Sequence, residues 1–135
     1  MDWESPYRKT TNGIEVTVQP TFMSGRSDPE DNLFVWAYKV RISNLGDTRV
    51  TLRQRSWHIT DATGHTEVVR GEGVIGEQPV LDPGQSFEYT SGTPLSTPSG
   101  IMVGSYDMEV DGGGWIMVEI PAFSLDSPHD AGPLN

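Results

Sequence analysis

Alternating apolar residues constrain this chain more than any other feature of its sequence. Between Leu33 and Ser43, large apolar side chains occupy every second position, and Lys39 and Arg41 stand between them. The apolar positions are Phe34, Trp36, Tyr38, Val40 and Ile42. A period of two places such residues on one face of a half-buried β-strand. We therefore predict a strand here whose apolar face contributes to a core.

Shorter segments with strand-like sequences recur along the chain and are separated by turn residues. The chain contains 15 Gly and 10 Pro, which suits many tight turns, and no segment has a convincing helical period. About seven to nine short strands in 135 residues are typical of a single all-β domain. The predicted fold is an immunoglobulin-like or fibronectin type III-like antiparallel β-sandwich.

The sequence at residues 44–47 predicts a turn, and the strands on either side of it could form a hairpin. Matching their apolar faces would place Ile42 opposite Val50, and Val40 opposite Leu52. The apolar positions then change parity before Trp57. We therefore expect a β-bulge near residues 54–56, and a second hairpin at the glycines 112–114.

Charge is distributed unevenly between the two halves of the chain. All nine basic residues lie at or before Arg70, and residues 1–70 balance nine bases against nine acids. The second half therefore supplies the whole formal net charge of −10. An acidic surface repels phosphate backbones, so we expect no nucleic acid among the partners.

Composition also bounds the location and the domain organisation. The chain has no cysteine, no signal-peptide pattern at its start and no apolar segment long enough to cross a membrane. These features predict a cytoplasmic protein without membrane insertion. We expect a flexible arm over residues 1–11, one sandwich domain over 12–126 and a disordered tail over 127–135.

Residues 70–79 contain the pattern G-x-G-x-x-G, which is familiar from dinucleotide-binding proteins. That function requires a helix to open directly after the glycines, within a βαβ unit. Pro79 and Pro83 follow too closely for such a helix. The pattern therefore does not indicate a Rossmann-type site.

Three interpretations of the glycine segment remain. Its backbone could form a nest of N–H groups that binds phosphate or a nucleotide, with Arg70, Gly71, Gly73 and Gly76 as the ligand-binding residues. Alternatively, the glycines could permit positive φ angles or close backbone approach where the chain crosses between sheets. A loop that contacts a protein is the third interpretation. The nearby acids at 72 and 77 oppose an anionic ligand.

Candidates for metal binding and catalysis are weak. His58, Asp61 and His65 flank one turn, but their spacing is not compact and nothing completes a ligand set. The sequence lacks a G-x-S-x-G elbow, an H-E-x-x-H motif and paired carboxylates on a helix. Ser56 and His58 share a strand face, which is common by chance. We expect no metal, no cofactor and no enzymatic activity.

Trp115 and Met117 are candidates for contact with a protein partner. Trp115 has the opposite parity from Ile116, Val118 and Ile120, which predicts an exposed face. An exposed Trp beside Met would form an exposed apolar patch suited to contact with a protein partner. The alternative is that Trp115 packs over the three glycines that precede it.

Several ordered blocks of the sequence resemble those of a known bacterial family. They include Val40-Arg41-Ile42-Ser43-Asn44, Arg55-Ser56-Trp57-His58-Ile59-Thr60-Asp61, Val69-Arg70-Gly71-Glu72-Gly73-Val74-Ile75-Gly76-Glu77-Gln78-Pro79, Leu81-Asp82-Pro83-Gly84, Phe87-Glu88-Tyr89-Thr90-Ser91-Gly92 and Glu119-Ile120-Pro121-Ala122-Phe123-Ser124-Leu125. Together they span about residues 12–126, and the chain is similar in all of them to the ApaG family.

The resemblance implies a fibronectin type III-like sandwich, in agreement with the strand pattern. Similar domains in eukaryotic F-box proteins and in a polymerase-interacting protein imply a protein-binding module. The family is named in connection with cobalt resistance and magnesium efflux, which implies a role in divalent-cation homeostasis. Its glycine motif, sometimes discussed as a nucleotide or pyrophosphate site, matches Gly71, Gly73 and Gly76.

Two functions are therefore expected. The first is a non-enzymatic cytoplasmic module that binds a protein, and the alternative is a domain that binds phosphate, ATP or GTP through residues 70–77. Because two-sheet sandwiches have exposed edge strands, strand addition or face packing could also produce a homodimer.

Overall fold

Nine strands form two antiparallel sheets that pack face to face. The computed structural model describes residues 3–130. The strands are β1 (Arg8–Thr11), β2 (Ile14–Phe22), β3 (Phe34–Asn44), β4 (Val50–Asp61), β5 (Thr66–Glu72), β6 (Val80–Leu81), β7 (Ser86–Leu95), β8 (Gly100–Val110) and β9 (Trp115–Leu125). Two short 3-10 turns, Ser24–Arg26 and Pro29–Asp31, are the only helical segments in the described chain. The predicted all-β sandwich is confirmed.

The four-stranded sheet has the order β1-β2-β3-β7, and the five-stranded sheet has the order β5-β4-β8-β9, with β6 also paired to β4. Large side chains from the inner faces fill the space between the sheets. Trp57 and Phe123 meet edge to face, with ring centroids 5.8 Å apart, and Tyr38 contacts both rings. The alternating residues of β3 are buried as predicted.

The strands β3 and β4 do not form the hairpin considered for the turn between them, because they belong to different sheets. Ile42 pairs with Val16 and Phe87, whereas Val50 pairs with Leu81 and Val110. The period of two identified the inward faces correctly. It could not distinguish two strands that are neighbours in one sheet from two that face each other across a core.

The buried side chain of Asn44 stabilises the crossing from β3 to β4. Its Nδ2 donates to the carbonyl oxygens of Thr48 (2.9 Å) and Leu81 (3.0 Å), and its Oδ1 accepts from the Gly46 N–H at 3.0 Å. One amide group thus satisfies three backbone groups of two segments that belong to different parts of the fold. Few residues other than Asn offer both donors and an acceptor in so small a volume.

A β-bulge interrupts the pairing of β4 with β8 between Leu52 and Gln54, one residue before the predicted range. The bulge lets Leu52 and Trp57 both face the core although they are five positions apart, a spacing that would place them on opposite faces of a regular strand. It therefore also turns Arg55 toward the inner face, since that residue shares the parity of Trp57. The hairpin predicted at residues 112–114 is observed between β8 and β9.

The described parts of both predicted terminal segments contact the sandwich, and residues 1 and 2 of the predicted arm lie outside the described residues. Residues 8–11 are not a flexible arm, because they form β1 and pair with β2. Trp3 is buried, and the Lys39 Nζ lies 5.2 Å from its ring centroid. Near the other end, the Ser127 hydroxyl donates to the Pro98 carbonyl, and His129 packs on aromatic rings of β2 and β3. The rest of the predicted tail, 131–135, lies outside the described residues.

The two sides of the sandwich differ. On one side, the N-terminal segment covers the edge strand β9. Lys9 Nζ forms an ion pair with Glu119 at 2.8 Å, the Thr11 hydroxyl accepts from the Glu119 N–H at 3.3 Å, and the Tyr7 and Ser124 hydroxyls are 2.8 Å apart. On the other side, β5 and β7 are separated by a cleft of about 290 Å³. The sandwich is therefore closed at β9 and open at β5.

Replacing Asn44 tests the role of its amide. We expect Asn44→Ala to lower the free energy of unfolding by about 2–3 kcal/mol, because buried carbonyl groups lose their donors. Urea unfolding followed by tryptophan fluorescence measures the change. Asp47→Ala, an exposed substitution in the same connection, is the control and should change stability by less than about 0.5 kcal/mol. Equal effects of the two substitutions would contradict this role of Asn44.

Candidate functional site

The glycine segment forms a tight two-residue turn between β5 and β6. Val74 and Glu77 exchange backbone hydrogen bonds of 2.8 and 2.9 Å around Ile75 and Gly76, which both have positive φ angles. This pattern matches a type I′ turn. A Cβ added at Gly73, which also has a positive φ, would lie 2.1 Å from the Glu77 carbonyl oxygen. The prediction of positive φ angles and close approach is confirmed.

The chain does not cross between the sheets at this turn, contrary to the prediction. β5 and β6 both pair with β4, so the chain remains along one edge of the same sheet. The crossing follows β6, where the Gln85 N–H donates to the Asp82 carbonyl at 2.9 Å and the chain enters β7. A glycine-rich sequence specifies a change of direction, but it does not specify which sheet comes next.

The four residues predicted to bind an anion are not brought together as a nest. The N–H of Gly73 donates to the Arg53 carbonyl at 2.8 Å, and the N–H groups of Val74 and Glu77 are used within the turn. Gly71 lies within the extended strand β5. The Arg70 side chain lies on the outer face of the sheet, where its Nε donates weakly to the Ser56 hydroxyl at 3.4 Å.

The cation beside the glycine segment is Arg55 and not the predicted Arg70. Its Nη1 donates to the carbonyl oxygens of Glu72 (3.1 Å) and Gly73 (2.9 Å). Its guanidinium lies over the backbone of Gly71, since a Cβ added there would approach Nη1 to 2.8 Å. Among residues 3–130, no carboxylate lies within 4.0 Å of this guanidinium.

Arg55 also sets the electrostatics of the cleft on the open side. Tyr38, Trp57, Ser91 and Leu95 contribute to the cleft walls around it. Burial raises the pKa of Tyr38, while the Ser91 hydrogen bond and the Arg55 charge oppose that rise. The cleft is thus partly apolar and is lined by one cation, Arg55, and one carboxylate, Glu67. Its volume is at the lower limit of ligand pockets, which suits one or two side chains.

Two deeper tyrosines are unsuited to acid–base chemistry. The hydroxyl groups of Tyr89 and Tyr106 form a short hydrogen bond to each other in the core. Burial raises the pKa of both phenols well above the ordinary value. Both groups are therefore neutral over the physiological range and hold the two sheets together.

The outer face of the five-stranded sheet carries the two predicted contact residues. Trp115 is 61% exposed and Met117 is 60% exposed, so Trp115 is not covered by the preceding glycines. Across the sheet, three further apolar side chains project to the same side: Val68, Ile101 and Val103. A shallow cavity of about 540 Å³ lies beside Met117 and extends to Arg70. We call this surface the outer apolar face.

Of the residues considered for metal binding, Asp61 and His65 take part in the hydrogen bonds of the β4–β5 turn, whereas His58 lies within β4. Asp61 Oδ1 accepts hydrogen bonds from the Thr63 hydroxyl (2.6 Å), the Thr63 N–H (2.9 Å) and the His65 N–H (3.1 Å). The bond from the Thr63 hydroxyl contributes most to lowering the pKa of Asp61. Within the described chain, no three His, Asp or Glu side chains are grouped as metal ligands would be.

Together these features define a small antiparallel β-sandwich domain with one open side and an apolar outer face. A family model, the ApaG domain, matches residues 24–110. The chain is 59% identical over 129 residues to Protein ApaG of Paramagnetospirillum magneticum, covering 96% of this chain and 99% of that protein. The chain belongs to the ApaG domain family.

Further relatives agree with this membership. Protein ApaG of Rhodospirillum centenum is 59% identical over 123 residues, covering 91% of this chain and 95% of the relative. A crystal structure described as the putative ApaA protein from Bordetella pertussis superimposes with a TM-score of 0.83 at 43% identity, covering 86% of this chain and 94% of that one. Separately, none of the helical segments in residues 3–130 is long and apolar enough to cross a membrane.

Two glycines of the turn provide a matched test of its geometry. Gly73 and Gly76 both have positive φ angles, but only Gly73 would place a Cβ against backbone atoms. We expect Gly76→Ala to reduce the free energy of unfolding by about 1 kcal/mol, from left-handed strain alone. Gly73→Ala should cost more than about 3 kcal/mol, because the carbonyl of residue 77 must also move.

Thermal and urea unfolding of both variants measure the difference. Similar losses for the two substitutions would mean that the turn relaxes freely around residue 73, which would contradict a structural role for the first part of the glycine motif.

Proposed function

We propose that this protein is a non-enzymatic, cytoplasmic module that binds another protein through its outer apolar face. The exposure of Trp115 and Met117 on a regular strand is the observation that carries the proposal. Trp is among the residues most often found at the energetic centre of protein interfaces, because its large ring buries much area with few rotatable bonds. On a sheet face without a covering layer, such side chains are more commonly polar.

Polar groups around this face would supply a rim. On β8, Asp107 pairs with Met117, and Glu109 pairs with Trp115. Arg53 Nε contacts Glu109 at 2.9 Å, which holds a charged pair close to the tryptophan. An apolar centre with a charged rim is the usual anatomy of a transient protein interface.

Several observations support a binding role over a catalytic one. Ser56 lies on the outer face, where its hydroxyl contacts Arg70 instead of His58. The buried tyrosines have raised pKa values and face the core. The alternative function, phosphate or nucleotide binding by residues 70–77, draws less support, since the turn uses most of its own N–H donors. In the cation homeostasis that the family resemblance implies, this protein would act through its partner.

Substitution on the outer apolar face tests the proposal. We expect Trp115→Ala and Met117→Ser to weaken binding of the partner by roughly tenfold or more, because each removes a large apolar contact. Proteins captured from a lysate of the source cells by the immobilised chain would be quantified by mass spectrometry. Binding of a purified candidate would then be titrated by calorimetry.

The control is Leu45→Ser, which changes an equally exposed apolar residue in the β3–β4 connection. A partner that is retained by the wild type and by Leu45→Ser, but lost from both face variants, would support the proposal. Partners retained equally by the wild type, the two face variants and Leu45→Ser would place the binding surface elsewhere.

A further inference from the structure

The strand β5 is an edge strand of the five-stranded sheet, and its outer edge pairs with no other strand of the described residues. Every residue of β5 except Gly71 is exposed, and the strand pairs only with β4. Natural sandwiches usually protect such edges with Pro, Lys or a covering loop. β5 contains neither Pro nor Lys; its charged residues are Glu67, Arg70 and Glu72, and its centre carries two exposed valines, Val68 and Val69.

Hydrogen bonds at both ends of β5 fix which of its backbone groups point away from β4; among these, the Glu72 carbonyl already accepts from Arg55 Nη1. The Gly73 N–H donates to the Arg53 carbonyl, and the His65 carbonyl accepts from the Asp61 N–H. Odd-numbered residues therefore point their backbone groups toward β4. Since successive residues alternate, the groups of the even-numbered residues point to the free edge. These residues are Thr66, Val68, Arg70 and Glu72.

The inward side chains of β5 have a self-complementary order. Glu67, Val69 and Gly71 face the same side as Arg55, because they pair with Ile59, Trp57 and Arg55. If a second β5 adds antiparallel with Val69 at the centre, Val69 lies opposite Val69 of the second copy. Glu67 of the second copy then lies directly opposite Gly71, and the relation is reciprocal.

Arg55 is placed to meet that carboxylate. Its guanidinium already reaches over Gly71 toward the free edge, and the glycine has no side chain to stand between the two groups. Nη1 is held by two carbonyl oxygens, while Nε and Nη2 make no hydrogen bond to the described residues. A carboxylate opposite Gly71 would be within one strand spacing of these donors.

We propose that β5 is a dimerisation strand, which pairs antiparallel with β5 of a second copy around Val69, and that Glu67 of each copy binds Arg55 of the other. The pairing uses only the backbone groups that point away from β4. It joins two five-stranded sheets into one of ten strands. The register is set by charge, because centring the pair on Val68 would place Glu67 opposite Val69 and leave Arg55 without its partner.

Cysteine trapping tests both the dimer and its register. The chain has no native cysteine, so a single introduced one reports one position. We expect Val69→Cys to form an intermolecular disulfide in air, because facing residues of a non-hydrogen-bonded pair have close Cβ atoms. Val68→Cys, the adjacent control with similar exposure, should cross-link much more slowly. Equal cross-linking of the two variants would overturn the register.

Charge reversal tests the ion pair. Sedimentation velocity from micromolar to millimolar concentration should show reversible dimerisation of the wild type. Glu67→Arg, an exposed substitution, should raise the dimer dissociation constant by about tenfold, since two ion pairs become repulsive. Arg55→Glu with Glu67→Arg should restore the wild-type value.

Several outcomes would overturn the proposal. A wild type that remains monomeric at millimolar concentration would exclude the dimer. A Glu67→Arg variant that dimerises as tightly as the wild type would exclude the ion pair. Because the Glu67 side chain is exposed and makes no hydrogen bond or ion pair among residues 3–130, this variant stays informative even if the Arg55 variant unfolds.

Discussion

The Arg55 guanidinium lies against the bare backbone of Gly71, and much of the local structure depends on this contact. The bulge between Leu52 and Gln54 turns Arg55 inward, where a cation would ordinarily be costly. Two carbonyl oxygens at the end of β5 solvate part of its charge. These carbonyls are held in place by the turn at residues 73–77, so the bulge, the glycines and the cation form one unit.

This unit gives the G-x-G-x-x-G pattern a physical meaning that differs from its usual one. In dinucleotide-binding proteins the glycines let phosphate approach the backbone. Here the first glycine lets a guanidinium approach the backbone, and the second lets the chain turn beside its own carbonyl. The pattern indicates only that side chains are excluded at the glycine positions. It does not indicate whether a ligand, a cation or the chain's own backbone occupies the space.

The sequence was most informative where one side chain determines one local property. Alternation located the strands and the buried face of β3, and the change of parity before Trp57 located a bulge within one residue. Strand partners could not be predicted in the same way, because inward-facing residues look alike whether the neighbouring strand lies beside them or across the core. Whether Arg55 faces the core depends on the exact position of the bulge, which the sequence does not specify. Arg70 was therefore predicted as the cation of the segment, although its side chain lies on the outer face.

The N-terminal segment covers the edge strand β9, and this cover limits which edges of the sheet are available for strand addition. Lys9 and Thr11 occupy polar groups along that edge, while β5 at the opposite edge is uncovered. A sheet with one available edge can pair with one further sheet, and the joined sheet then has no free edge for more strand addition. Growth through β5 in the proposed dimer would therefore be self-limiting, and the same feature would separate a finite assembly from an open-ended fibre.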